Sequence, residues 1–324
     1  MADNVHSSKV YFTVFAGRKQ YLSVLMVYVY RLLAARHVSV AHLWDYCIFP
    51  HDRTYLKTLA DPARSVEVLR PKSAVWGPNR FRSYYAHYAD LLQPGELLVK
   101  CDDDIVFIAN LPVLLDVAAR DNGAHLLYYP SVINNDVAAV FHAADGLETD
   151  PEYVVGMTAS RPSGPVSLTP MSDWFNCTRC AKHVHDKFLA QPAAFFTGCI
   201  HSWRVPCRVS INFFVMGGAA VRRIFGGYTS KRRAFEDEPY FTALLTERTG
   251  MPSLMVTDAV VVHFAFGFQR MGQRSTAALL GRYRQLAAAE DVHEELRRNF
   301  GGRNMSRTCP DAPPAGLLQG RRTY

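Results

Sequence analysis

ELLVKCDDDIVFI, residues 96–108, sets the reading of the whole chain. Apolar and β-branched residues run up to an interruption and resume directly after it, so the stretch reads as one buried strand carrying an acidic cluster. Asp102, Asp103 and Asp104 repel one another, and an unpaired carboxylate is costly to bury. A solvated acidic turn is the plain alternative, but such a turn has no need of the Val-Phe-Ile that follows. The cluster therefore calls for a cation. Oxygen ligands suit a hard divalent ion, Mn2+ or Mg2+. On an extended segment residues i and i+2 point the same way, so Asp102 and Asp104 would share the ion while Asp103 faces elsewhere. An ion held there could in turn neutralise a diphosphate.

Upstream the pattern alternates. KVYFTVFAG (9–17) reads as a buried strand and QYLSVLMVYVYRLLAAR (20–36) as a helix apolar on most of its surface. VSVAHLWDY (38–46) and SVEVLRP (65–71) are further strands. PHDRTYLKTLA (50–60) and PNRFRSYYAHYADLL (78–92) are helices, the second stopped by Pro94-Gly95. This rhythm predicts an α/β fold, a Rossmann-type mostly parallel sheet flanked by helices. Ligands in such sheets bind at the carboxyl ends of the strands, where the acidic cluster stands.

Downstream the reading is less regular. HLLYYPSVINND (125–136) is a strand ending in Asn134, Asn135 and Asp136, placed to meet a sugar or simply to turn the chain. Residues 145–170 read as a long loop rich in Gly, Pro, Ser and Thr, HVHDKFLAQPAAF (183–195) as a short helical piece and RVSINFFVMGG (208–218) as a strand. AAVRRIF (219–225) and EPYFTALLTERTG (238–250) are helices, DAVVVHFAFGF (258–268) is a late strand, and residues 275–300 form one long helix. GGYTSKRRAF (226–235) could close over a diphosphate as a lid or be an exposed loop without function. Residues 1–135 and 136–300 are expected as two halves of one domain, followed by a loose tail over 301–324.

Composition narrows the classes. Of 324 residues, 49% are hydrophobic and 20% charged, which excludes a largely disordered chain. The longest apolar stretch, Tyr21–Tyr30, stops at Arg31, short of the roughly 20 residues of a membrane span. The first residues lack the basic start and apolar middle of a signal peptide, so a cytoplasmic location is expected. A net charge of +7 is spread along the chain and comes with no nucleic-acid-binding signature. Its arginines read as solvated surface or as phosphate ligands. The 7 cysteines are odd in number and scattered, unlike a disulfide framework. Cys177 and Cys180 form a CxxC near His183, His185, Cys199 and Cys207; this group could hold structural Zn2+ or consist of small buried residues. Asn176-Cys177-Thr178 is a glycosylation sequence that a cytosolic chain leaves unused.

A DxD at the exit of a strand in an α/β domain resembles the nucleotide-sugar-dependent glycosyltransferases of the GT-A fold. FEDEPYFTALL (235–245) is similar to the acidic motif at a helix start in inverting members, whose Asp is the general base. Here the motif is Glu236-Asp237-Glu238, and a helix N-terminus favours an ionised Asp237. VVVHFAF carries His263 late in the chain, where many members place a metal-binding His; a hydrogen-bonded core histidine is the other reading. The order of parts agrees over residues 9–270. The resemblance implies that Phe15, Ala16, Gly17 and Arg18 flank base and ribose and that Asp45 reaches the base. Asn79, Arg80 and Arg82 would face the nucleotide or its diphosphate, and Asp102 and Asp103 would also touch the donor. Asp102, Asp104 and His263 would hold Mn2+ or Mg2+, with Asp237 as base and Glu238 in reserve.

The activity so implied is transfer of a sugar from a nucleotide-sugar donor, a UDP-sugar, to a hydroxyl of a glycan or glycoconjugate acceptor, with inversion. A sugar-nucleotide pyrophosphorylase is the alternative enzyme, although FAGRK is short for the Gly-rich loop of that class. A catalytically inactive carbohydrate-binding or scaffold protein of the same fold is the non-enzymatic alternative.

Overall fold

The strand expected first is β1 (Val10–Ala16), buried at every residue but Phe15. A computed structural model describes residues 9–71, 81–121, 123–147, 177–204, 209–226, 237–266, 269 and 276–300. Helix α1 (Lys19–Ala34) buries Tyr21, Leu22, Leu25, Met26 and Val29 together with Val24 and Tyr28, so most of its circumference is covered. It ends before Arg36, which turns left-handed at φ 58. β2 (Val40–Asp45), α2 (Pro50–Thr58), β3 (Val66–Leu69) and α3 (Arg82–Leu91) follow. Pro50 opens α2, where its missing N–H costs nothing. β1 lies parallel to β2 and to β4 (Leu97–Asp102), and β2 lies parallel to β3. This quarter of the molecule is the βαβ pattern read from the sequence.

The remainder corrects the expectation of a mostly parallel sheet, because the sheet is mixed. The stretch 96–108 is two strands. β4 ends at Asp102, Asp103 and Asp104 turn the chain, and β5 (Ile105–Ala109) leaves in a new direction. A two-residue turn cannot return a strand parallel to its predecessor. β5 instead pairs antiparallel with the distant β9 (Ser253–His263). β6 (Tyr128–Ile133) is parallel to β9, while β8 (Phe213–Gly217) lies antiparallel to both β4 and β6. The nine strands run β3-β2-β1-β4-β8-β6-β9-β5, and β7 (Ile200–Trp203) adds antiparallel to the first residues of β9. Residues from both sides of position 135 thus share one sheet.

The helices also depart in part from expectation. α4 (Leu111–Arg120), α5 (Asp136–Ala144) and strand β7 were not anticipated. α6 (Thr178–Ala190) has the length of the piece expected at 183–195 but starts and ends five residues earlier. α7 (Gly218–Phe225) starts pressed against the turn before β4, where a Cβ on Gly218 would lie 2.1 Å from the Gln93 carbonyl. α8 runs from Asp237 to Thr249, with its middle, Tyr240–Leu245, wound as π-helix. The long helix expected over 275–300 is two, α9 (Thr276–Ala288) and α10 (Glu290–Phe300). All eleven residues of β9 are buried, and full burial of each Val or Leu contributes about 1.5–3 kcal/mol. Among the described residues no helix is long and apolar enough to cross a membrane.

The cysteines require a second correction. Cys177 and Cys180 are joined by a disulfide, although the scattered cysteines read as unpaired, and in that form neither offers the thiolate of the zinc alternative. Cys199 is disulfide-bonded as well. Such bonds persist in oxidising compartments, so the cysteines weigh against the cytoplasmic expectation. His185 does not face the CxxC: its Nδ1 lies 2.8 Å from the Tyr283 hydroxyl and its Nε2 2.7 Å from the Phe264 carbonyl.

Candidate functional site

Strand directions bring the sequence candidates to one edge of the sheet. β1, β2 and β4 end there, and the antiparallel β8 begins there. β6 and β9 end there too, and β5, antiparallel to β9, begins there. Phe15 to Arg18, Asp45, the acidic triplet and His263 therefore stand along one rim, joined by Asn212 at the entry to β8.

Asp103 faces the loop after β1. Its Oδ2 accepts the Gly17 N–H at 2.8 Å, and its Oδ1 takes the Arg18 Nε at 2.9 Å and a second, shorter bond from the same guanidinium. The Arg18 fork also stands 3.2 Å from Asp104 Oδ2. Burial alone would lower the Arg18 pKa, but Asp104 and Asp103 raise it overall. Burial raises the Asp103 carboxyl, and the Arg18 charge only partly offsets this. Asp104 Oδ2 lies 3.4 Å from His263 Nε2, and the Asp104 carbonyl accepts the Phe264 N–H at 2.8 Å. Asp104 and His263 are thus fixed as a pair by the start of the β5–β9 ladder.

Asp102 points the other way. Its Oδ1 takes the ammonium of Lys100 at 2.5 Å and its Oδ2 the Asn212 amide at 3.2 Å. Lys100 and Asp102 are i and i+2 on one strand and share a face. The Lys100 ammonium also donates to the Ile211 carbonyl at 2.7 Å and lies 4.8 Å from the Phe15 ring centre. Burial works against the charge on Lys100, yet Asp102 and Asp237 raise its pKa. The donor atoms of Asp102, Asp104 and His263 do not all lie within 4.8 Å of one another. Asp104 with His263 is the converging pair, and the Asp102 side chain, 26% exposed, stands at its rim.

Asp237, buried at the first turn of α8, completes the group. Its Oδ2 accepts the Tyr85 hydroxyl at 3.1 Å and its Oδ1 the Glu238 N–H at 3.1 Å. The sequence suggested that the helix N-terminus keeps Asp237 ionised. Burial, reinforced by Asp102, raises its pKa, while Lys100, Tyr85 and the Glu238 amide pull down less strongly. Glu238 lies beside it, and its Oε2 accepts the Ile211 N–H at 3.4 Å.

The remaining candidates divide. Phe15 stacks on Phe81 at 5.3 Å and meets Tyr46 at 5.0 Å, forming an aromatic wall over the end of β1. Ala16 is buried beneath it. Asp45 is held by Arg53 at 2.9 Å and by the Cys47 N–H at 3.1 Å, so its carboxylate is already engaged. Asn134 takes the left-handed conformation at φ 63 and donates to Gln269 at 3.0 Å. Asn135 caps α5 by accepting the Val137 and Ala138 N–H groups. Both asparagines thus have the turn-forming role. Asn79, Arg80, Glu236, Cys207, the lid segment from residue 227, most of the 145–170 loop and the 301–324 tail lie outside the described residues, as do the side chains of Arg82 and Asp136.

Lys100, Asn212 and Tyr85 were missed. The signal for Lys100 was available, since a lone cation in the apolar run LLVKC has to meet a carboxylate. Tyr85 gives none, being one aromatic among several on α3.

Compared with known proteins, the chain matches no protein-family model, and no curated protein matches its sequence.

Among the described residues, Asp102, Asp103, Asp104 and Asp237 face the two permanent cations Arg18 and Lys100. With Glu238 beside Asp237, carboxyl groups outnumber these cations, an excess that a bound cation would offset. Asp104 and His263 supply a hard oxygen and an imidazole nitrogen, a set that suits Mn2+ better than Mg2+, which prefers oxygen throughout. The residues present therefore fit the ion.

Proposed function

We propose that the chain is a divalent-metal-dependent glycosyltransferase of GT-A type, moving a sugar from a nucleotide-sugar donor to a hydroxyl of a glycan acceptor. The observation that carries this reading is the Asp104–His263 pair on a sheet edge where carboxylates outnumber cations. A bound Mn2+ or Mg2+ supplies charge for the leaving diphosphate. Arg18 is positioned beside Asp104 to share that task, because a guanidinium fork matches phosphate oxygens as well as carboxylates. The aromatic wall of Phe15, Tyr46 and Phe81 offers a flat apolar surface to a nucleobase.

Asp237 serves as general base. A carboxylate whose pKa is raised accepts a proton better than an ordinary one. Tyr85 holds one of its oxygens, and the buried Lys100 pulls its pKa down. Proton removal from the acceptor hydroxyl on the face opposite the leaving group gives inversion.

The test is a panel of nucleotide sugars, scored by thermal shift with Mn2+ and again with a chelator. The reading expects one sugar nucleotide to raise the melting temperature only when Mn2+ is present. Stabilisation that ignores the chelator removes the metal from the account, and no stabilisation by any sugar nucleotide removes the transferase.

A further inference from the structure

Away from the acidic edge, the end of α5 and the start of β7 enclose a second polar cluster. Cys199 and His201 alternate along the extended run into β7, so both turn inward while Ile200 faces out. Asp145 follows α5 as its C-cap, and its side chain is 1% exposed. His201 Nε2 stands 3.1 Å from Asp145 Oδ1 and 3.2 Å from Oδ2. The Phe141 ring stacks on the imidazole at 4.6 Å and fixes its plane. The Thr197 hydroxyl donates to Asp145 Oδ2 at 2.9 Å, while the buried Oδ1 receives no hydrogen bond. The Thr257 hydroxyl accepts the Cys199 N–H at 2.7 Å and donates to the Cys199 carbonyl at 2.9 Å, which fixes the strand at the cysteine.

A carboxylate oxygen of Asp145, the Cys199 sulfur and an imidazole nitrogen of His201 all lie within 4.8 Å of one another. Ligand atoms about 2.0–2.3 Å from a tetrahedral ion stand roughly 3.3–3.8 Å apart, so small side-chain rotations would seat all three on one ion. Oxygen, nitrogen and thiolate together suit Zn2+ and not the hard ions proposed for the acidic edge. Cys199, however, is disulfide-bonded, and a disulfide sulfur has no thiolate charge to give.

We propose that Asp145, Cys199 and His201 form a zinc site that becomes competent only when the Cys199 disulfide is reduced. A dithiol supplies two electrons and two protons and becomes a disulfide itself, and the Cys199 bridge becomes two thiols. Cys199 then releases its proton, and the thiolate takes the ion with Asp145 and His201, leaving water as the fourth ligand. In the oxidised chain the bridge ties down the start of β7; in the reduced chain the ion ties it to the end of α5. None of these residues lies at the acidic edge, so the site stands or falls separately from the transferase reading.

Co2+ reports such a site directly, because a thiolate ligand adds an intense near-ultraviolet charge-transfer band that oxygen and nitrogen ligands do not give. The full chain carrying Cys177→Ser and Cys180→Ser is titrated with Co2+, with and without a phosphine reductant. The expected result is a band in the reduced chain, none in the oxidised chain, and loss of the band on adding Zn2+. Adding Cys199→Ser should abolish it. His201→Gln keeps the thiol and should weaken Co2+ binding by roughly tenfold or more. A reduced chain without the band, or a band that survives Cys199→Ser, overturns the proposal. Should Cys199→Ser fail to fold, an unchanged Co2+ affinity in His201→Gln overturns it equally.

Discussion

Two regions of this molecule bury ionisable groups, and they solve the problem in opposite ways. At the acidic edge charge is kept and only partly matched: Asp103 and Asp104 share Arg18, and Asp102 meets Lys100. Behind the second half of the sheet, histidines are buried in hydrogen bonds. His185 lies between Tyr283 and the Phe264 carbonyl, and His142 lies 2.7 Å from Ser131. Burial lowers the His185 pKa to about 4, so it is neutral at physiological pH. Its proton then belongs on Nε2, donated to the Phe264 carbonyl, with Nδ1 accepting from Tyr283. A region that holds net charge in reserve can answer a charged ligand, and a region that has neutralised itself holds the fold. That contrast is why the chemistry is assigned to the acidic edge.

The largest test of the contrast is Asp237→Asn. If the acidic edge is catalytic, transfer falls by roughly 10²–10⁴-fold while Mn2+-dependent donor binding stays unchanged. Because burial raises the Asp237 pKa, the neutral amide should leave the melting temperature unchanged or higher. A variant that melts earlier and still transfers sugar would assign Asp237 to the fold. Lys100→Met comes next. It leaves the partly exposed Asp102 without its cation and the Ile211 carbonyl without its donor, and urea unfolding should show a loss of about 3 kcal/mol. The same change removes a charge that lowers the Asp237 pKa, so the acid limb of the rate profile should move to higher pH. Adding Asp102→Asn should recover part of the lost stability in a double-mutant cycle.

The histidine region should respond to pH instead. His185 binds fewer protons folded than unfolded between about 4 and its ordinary 6.5. Its contribution is therefore complete above 6.5 and lost as pH falls towards 4, by about 3 kcal/mol. Denaturant midpoints across that window should fall in the wild type and fall less in His185→Gln. A residual slope is expected, since burial also lowers His42 to about 4. The smallest effect belongs to the surface. Arg282 lies 2.9 Å from Asp186, but both side chains are more than two-fifths exposed. Arg282→Ala should cost at most about 0.5 kcal/mol, and nothing at high salt.

The legibility of the chain follows the same division. The parallel quarter, β1 to β4 with its helices, could be read because each βα unit is local and its apolar periodicity is complete within about 30 residues. The need of the acidic triplet for positive charge was equally local. Its answer was only half visible: Arg18 was read as a nucleotide ligand, and Lys100, two residues from Asp102, was passed over. The antiparallel insertions could not be read, because β4 meets β8, and β5 and β6 meet β9, across more than a hundred residues, and nothing in SINFFVMGG specifies direction. The CxxC spacing serves zinc and disulfide alike, so only the fold could decide between them.

The position of β8 and β9 inside the sheet has a consequence for synthesis. Both come late in the chain, yet β8 separates β4 from β6, and β9 separates β6 from β5. A growing chain that has reached Ile133 therefore holds four unfinished strand edges on the ribosome, one on β4, two on β6 and one on β5, and must wait for residues 213–263 to close them. Ribosomes add roughly 5–20 residues per second, so that exposure lasts several seconds. The nascent first half should accordingly be a client of chaperones, and stopping synthesis before β8 should yield aggregate in place of a smaller folded protein.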